Sequence, residues 1–203
     1  MQEATIIKIS DNTSNPAALG LAGFGLTTIL LNLHNVGLYP LDSMIMSMGI
    51  FYGGLAQVIV GIMEWKKNNT FGTTAFTSYG LFWLSLVSIW MLPKMGMADA
   101  PKPEAMGYYL AAWALFSFFL LIATFKLYKA IRVVFALVFV LFALLSAAYF
   151  SESHTIHVIA GASGIICGAS ALYTGMAQVI NEYYKKTILP IGTLTIKAKT
   201  VEN

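Results

Sequence analysis

Six mostly apolar stretches, each near the roughly 20 residues that a membrane-spanning helix needs, fill most of this chain. They run over residues 16–38, 43–64, 72–92, 104–127, 131–150 and 155–182. Inside a bilayer every backbone N–H and C=O must find a partner within the protein, so apolar stretches of this length fold as helices. The connections are short, which makes neighbours antiparallel and leaves no room for a soluble domain. The expectation is an all-α membrane protein with six transmembrane helices. A polar tail would occupy residues 1–14, the membrane domain 15–188 and a C-terminal tail 189–203.

Local signals support the boundaries. Asn15 is placed to cap the first helix, with Pro16 at the first helical position, where its missing N–H costs nothing. Asp42 is placed to cap the second, Pro93 to stop the third, and Pro103 to open the fourth. Residues 1–14 lack the basic start and apolar run of a cleaved leader, so the first apolar stretch is expected to act as the targeting signal.

Charge sets the orientation. With the N-terminus in the cytoplasm, the inside set is Lys8, Lys66, Lys67, Lys126, Lys129, Arg132, Lys185, Lys186, Lys197 and Lys199, against Lys94 and Lys102 outside. That asymmetry predicts both termini cytoplasmic in a multi-pass protein of the cell (plasma or inner) membrane, embedded in lipid. Trp65, Trp90, Tyr108, Tyr109, Tyr183 and Tyr184 lie near segment ends, as in an interfacial aromatic belt.

Several classes are excluded. Charged residues make up 10% of the chain, less than half the usual share in soluble domains, while 58% are hydrophobic and mean hydropathy is +0.72. The basic residues sit at segment ends rather than in a stripe, so no nucleic-acid partner is expected. The one cysteine, Cys167, reads as a buried, inert thiol. Gly20, Gly23 and Gly25 spell part of a phosphate loop, but no strand precedes them. No Asp, Lys or Arg lies in the middle of a span, and no nucleophile triad or metal-ligand cluster is visible. His154 and His157, at the external mouth of the sixth helix, are weak evidence for metal. An enzyme, an ATP-driven pump and a voltage sensor are each unsupported, and no cofactor or metal is expected.

Polar residues inside the spans then become the functional clue. At 100° per residue, Phe24, Thr28, Leu31 and Asn35 share one face of the first helix, with Asn32 beside it. Gly49, Gly53, Gln57, Val60 and Glu64 line up likewise on the second, and the third carries Ser78, Tyr79, Ser85 and Ser88. Neutral donors alternating with apolar groups suit a narrow path for a small polar solute. Hydroxyls also glue helices or bond their own backbone, so Asn32, Asn35 and Gln57 fit either a pathway or helix contacts. Glu64 fits an interfacial carboxylate beside Lys66 and Lys67, or a proton carrier. His34 fits a pH-sensitive gate, or an imidazole satisfied at its helix end. The small-residue pairs Gly49–Gly53 and Gly164–Gly168, with Ala160 and Ala171–Gly175, read as tight helix packing.

The run Asn15-Pro16-Ala17-Ala18-Leu19-Gly20-Leu21 resembles the signature of the acetate uptake transporter family. Gly23-Phe24-Gly25, Leu33-His34-Asn35, Phe51-Tyr52-Gly53-Gly54, Asn69-Thr70-Phe71-Gly72 and Ser78-Tyr79-Gly80-Leu81-Phe82-Trp83 follow in the family's order, as do Gly164–Ala171 and Leu189-Pro190-Ile191-Gly192. Ala18 departs from the family's proline in the first helical turn, where proline is tolerated but not required. The resemblance covers residues 15–192. It implies a pore within each protomer, a homo-hexamer, and acetate as main substrate, with succinate and other small carboxylates as further candidates. It also implies an apolar constriction at Phe24, Tyr79 and either Val138 or Leu141. Donors from Thr28, Asn32, Asn35, Gln57, Ser78 and Tyr79 would replace part of the carboxylate's hydration shell. Two other readings fit the same residues: a non-transporting scaffold or sensor, and a channel for small neutral solutes.

Overall fold

A computed structural model describes residues 13–192. Among them there is no strand, and six helices are long and apolar enough to cross a membrane. They are α1 (Ala17–Asn35), α2 (Ser43–Lys66), α3 (Thr70–Lys94), α4 (Pro103–Lys126), α5 (Lys129–Ser151) and α6 (His154–Tyr184). The protein is thus an all-helical, multi-pass membrane protein. Lys8, Lys197 and Lys199 of the basic set lie outside the described residues.

The helix ends follow local chemistry. Pro16 already has helical angles, and Asn15 Oδ1 accepts the Ala17 N–H at 3.0 Å, so Asn15 does cap α1. Asp42 Oδ1 accepts from the N–H groups of Met44 and Ile45, as expected. Pro93 sits in the last turn of α3, which runs on to Lys94. This helix starts earlier than the hydropathy suggested because Asn69, at the Gly72 N–H (3.0 Å), caps it. The sixth helix overruns its apolar stretch at both ends, reaching 31 residues.

Hydropathy gave no hint of one irregularity. Between its α-helical ends, α2 is a π-helix over Gly49–Ala56. Wider turns normally appear as single bulges near functional positions, so eight residues is a long run. The face expected for α2 nevertheless survives: Gly49, Gly53, Gln57, Val60 and Glu64 are all buried. A spacing of four overshoots an α turn and undershoots a π turn, so these residues stay on one side through both.

In lipid, the packing of helices comes from close contact rather than from expulsion of water. Where α1 crosses α6, a Cβ added at Gly25 would meet the Gly168 carbonyl oxygen at 2.7 Å, and one added at Gly168 would meet the Gly25 oxygen at 2.6 Å. Each backbone occupies the space the other lacks. Cys167 beside this crossing is fully buried, as expected of an inert thiol. Beyond α6 the chain turns back onto the bundle. Asn181 Oδ1 accepts from Ile188 and Leu189, and its amide donates to the Leu189 carbonyl. The carbonyls of Ile191 and Gly192 then accept the first N–H groups of α5, from Ala130 and Lys129. Residues expected to open a C-terminal tail therefore finish a helix cap.

Candidate transport pathway

Burial of polar side chains inside the bundle marks where a path could run. Thr28, Asn32, Gln57 and Glu64 are each at most 2% exposed, although amides and carboxyls are costly to bury without partners. They surround two cavities. One, about 260 Å³, lies at the end carrying Lys66, Lys67 and Lys126, and is lined by Gln57, Glu64, Tyr79 and Val138. The other, about 60 Å³, lies toward the opposite end and is lined by Thr28, Asn32, Asn35 and Leu141. Phe24 is the one side chain lining both.

Tyr79 stands against Phe24 with ring centroids 5.7 Å apart and planes tilted by 53°. Further rings pack around it: Phe116 at 5.8 Å, Trp113 and Phe135 at 6.1 Å, and Phe142 at 6.4 Å. Five neighbours pin the ring so that it can hold a fixed width. Val138 and Leu141 lie one turn apart on α5, one facing each cavity, so both flank the junction.

The hydrogen bonds separate free groups from occupied ones. Ser117 Oγ donates to the Trp113 carbonyl at 2.7 Å and lies 2.8 Å from the Tyr79 hydroxyl, so it accepts the Tyr79 proton. The Tyr79 hydroxyl is thus turned away from both cavities. Ser78 lines neither. Ser85 bonds the Phe82 carbonyl and the Tyr109 hydroxyl, and Ser88 bonds the Leu84 carbonyl. The hydroxyls of Tyr79, Ser85 and Ser88 on α3 therefore serve packing. Asn32 donates to the Thr28 carbonyl at 2.8 Å and accepts from Asn35 at 3.0 Å, which forms a short amide chain along the smaller cavity. Of the five buried side-chain atoms without a partner among the described residues, Thr28 Oγ1 and Trp83 Nε1 belong to residues lining the smaller cavity and Gln57 Oε1 to one lining the larger, while Thr73 Oγ1 and Arg132 Nε lie on neither. Such orphans are rare in folded proteins and mark where a solute or water bonds.

Glu64 receives the Asn69 amide at 2.6 Å and sits against Gly72, in the first turn of α3. His34 lines neither cavity; its Nδ1 lies 2.8 Å from the Tyr39 carbonyl, which only an N–H can approach as donor. Two supposed belt residues face inward. Tyr109 stacks on Phe82 with centroids 5.9 Å apart, and Trp90 lines the smaller cavity. Trp65, Tyr108, Tyr183 and Tyr184 are exposed.

Sequence reasoning did not place Trp83, Ser117 or Gln178 on the path, and it gave Asn15 only as the cap of α1. Asn15 and Gln178 join at the larger cavity through a 2.7 Å hydrogen bond from the Asn15 amide to Gln178 Oε1. Asn15 and Trp83 lay within the family motifs; their contacts, and those of Ser117 and Gln178, depend on which helices become neighbours.

The model of the GPR1/FUN34/yaaH family matches residues 3–195. The succinate–acetate/proton symporter SatP of Escherichia coli K12 is 53% identical over 179 residues, covering 88% of this chain and 95% of its own length. An ammonia transport outward protein 2 of Saccharomyces cerevisiae is 39% identical, covering 82% of this chain and 61% of the yeast protein. A solved structure described as the bacterial acetate channel SatP superposes with a TM-score of 0.88 at 52% identity, covering 89% of this chain and all of that one. With the family model spanning nearly the whole chain and half the residues shared with SatP, this protein belongs to the GPR1/FUN34/yaaH family.

Proposed function

We propose that the protein conducts acetate and related small carboxylates, succinate among them, across the cell membrane through a path inside each protomer. The observation that carries this is the pair of cavities meeting at Phe24, with unpartnered polar groups on both sides. The names and close similarity of the SatP relatives support it.

Near neutral pH a simple carboxylic acid, with a pKa of roughly 4–5, is almost wholly anionic. Passing the aromatic junction strips its hydration at a cost of several kcal/mol. The Thr28 hydroxyl and Trp83 N–H on one side, and the N–H groups of the Gln57 amide on the other, replace part of that shell, while Gln57 Oε1, an acceptor, is left for water. A fixed cation would hold the anion too tightly for rapid release, whereas neutral donors let it move on.

The basic asymmetry supports a cytoplasmic position for the end carrying Lys66, Lys67 and Lys126, with both termini on that side. The family resemblance supports a homo-hexamer, which native mass measurement of the purified protein tests.

The functional experiment is labelled acetate flux into liposomes, with proton gradient and voltage set independently. Flux that follows voltage without proton uptake identifies an anion channel. Flux that carries protons identifies symport or passage of the neutral acid. Absence of flux by folded protein under every condition overturns the proposal and returns the scaffold reading. Ammonia flux insensitive to competing acetate would favour the neutral-solute reading.

A further inference from the structure

The smaller cavity, the outer one in the orientation proposed above, does not end blindly. An open surface pocket of about 300 Å³ lies beyond it, bordered by Pro103 at the start of α4, by Glu152 and Ser153 in the turn between α5 and α6, and by His154. Two side chains line both spaces: Tyr149, in the last two turns of α5, and His157, in the first turn of α6. They meet edge to face, with ring centroids 6.0 Å apart and planes at 72°. Both are half-buried, and neither the Tyr149 hydroxyl nor the His157 ring nitrogens bond another described residue. Two unpartnered polar groups thus form the partition between the outer cavity and the surface.

We propose that Tyr149 and His157 form a carboxylate-capture site and outer gate, in which the imidazolium form of His157 draws a small monocarboxylate from the surface pocket into the outer cavity. This rests on the reading of the path as a carboxylate conduit. The ring that closes the partition is also the one group there able to gain a positive charge near neutral pH. A protonated ring offers two N–H donors, and the Tyr149 hydroxyl supplies a third on the neighbouring helix. Edge-to-face contact leaves the ring held by packing rather than by hydrogen bonds, so it can turn aside as the anion passes.

Half-burial and two neighbouring imidazoles oppose a charge on His157, so the arriving carboxylate has to help hold it there. His34 at the end of α1 and His154 one turn back on α6 are near enough to interact with it electrostatically. Glu152 is the one carboxylate lining the surface pocket and is exposed. Trp90 of α3 and Met106 of α4 face the same outer cavity and carry no charge, while Lys102 and Glu104 are exposed and line neither space. The partition therefore becomes more positive as pH falls on its own side of the membrane, while acetate stays largely anionic down to about pH 5.

The test is acetate uptake by proteoliposomes of fixed orientation, with pH varied only on the side faced by the 152–157 turn. For the unaltered protein, the half-saturating acetate concentration falls as that side is acidified from pH 7.5 to 5.5. In His157→Asn this dependence disappears, and half-saturation at pH 5.5 rises about three- to fivefold, the scale of a half-exposed ion contact. His157→Lys, with a fixed cation, keeps the tight half-saturation at both pH values. A His157→Asn protein with unaltered half-saturation and pH profile, or one slowed by a constant factor at every concentration, overturns the proposal. Tyr149→Phe gives an independent check should His157→Asn fail to fold: it is expected to raise half-saturation at pH 5.5 about twofold, as the loss of one hydrogen bond to a half-exposed charge would. Unchanged half-saturation in Tyr149→Phe also counts against the site. Absence of acetate flux in the unaltered protein is a separate failure, that of the conduit itself.

Discussion

Phe24 and Tyr79 stand 5.7 Å apart at the point where two cavities meet, and the two rings play unequal parts. Tyr79 is fixed by five other contacts, the Ser117 hydroxyl and four further rings, whereas Phe24 pairs with no ring but Tyr79 among the described residues. The less restrained side chain is the one touching both spaces.

Removing that side chain should merge the cavities. Phe24→Ala is expected to reduce the preference for acetate over four- and five-carbon acids by roughly tenfold, about 1.4 kcal/mol of discrimination. Competition between labelled acetate and unlabelled longer acids in liposome flux measures this. Phe24→Leu, which keeps much of the volume, should fall between. An unchanged substrate range in the alanine variant would sink the constriction assignment.

Tyr79→Phe asks whether the hydroxyl or the ring matters. Because the hydroxyl is occupied by Ser117, its loss should cost about 1 kcal/mol of stability and leave acetate flux within roughly threefold of normal. Thermal unfolding in detergent and flux at equal protein load test the two halves. A tenfold or larger loss of flux in a stable protein would mean that the hydroxyl serves the solute.

Gly164 matters through Asn32. A Cβ at Gly164 would run into the Asn32 carboxamide, whose amide holds the Thr28 carbonyl and whose oxygen holds Asn35. Gly164→Ala should therefore cost about 1–3 kcal/mol through overpacking and reduce flux together with stability. Replacing Asn32 by Ala in the same chain should recover stability without recovering flux. If the double variant is no more stable than Gly164→Ala alone, the clash lies elsewhere.

Asn181 offers a contrast far from the path. Asn181→Ala removes three hydrogen bonds that fold residues 188–189 back onto the bundle, and with them the seating of the α5 cap. Amide exchange at Lys129 and Ala130 should quicken by tenfold or more, with acetate half-saturation unchanged. Exchange at the normal rate would show that Ile191 and Gly192 hold the cap without this anchor.

The spans and caps were legible because their causes are local. An apolar run of membrane length, and an Asn or Asp just before it, act within a few residues of themselves. So did the polar faces of α1 and α2, which periodicity alone aligned. Ser78, by contrast, shares a helix with Tyr79 yet points elsewhere, since adjacent positions differ by about 100° and only the neighbouring helices decide which direction is the path. The partner of Tyr79 is 38 positions away and that of Asn15 is 163 away, separations that no local pattern encodes. The π-helix in α2 escaped for a related reason: its glycines report close contact, and the same spacing suits either helical form.

The crossing of Gly25 and Gly168 carries a consequence for how such a chain can change over generations. At most tight positions an intruding methyl group meets a side chain, which a second mutation can shorten. Here each methyl would meet the other helix's backbone carbonyl, which no substitution at the opposite glycine removes. The two positions therefore act as a single locus with no permissive first step: a descendant can leave this state only by moving one whole helix relative to the other.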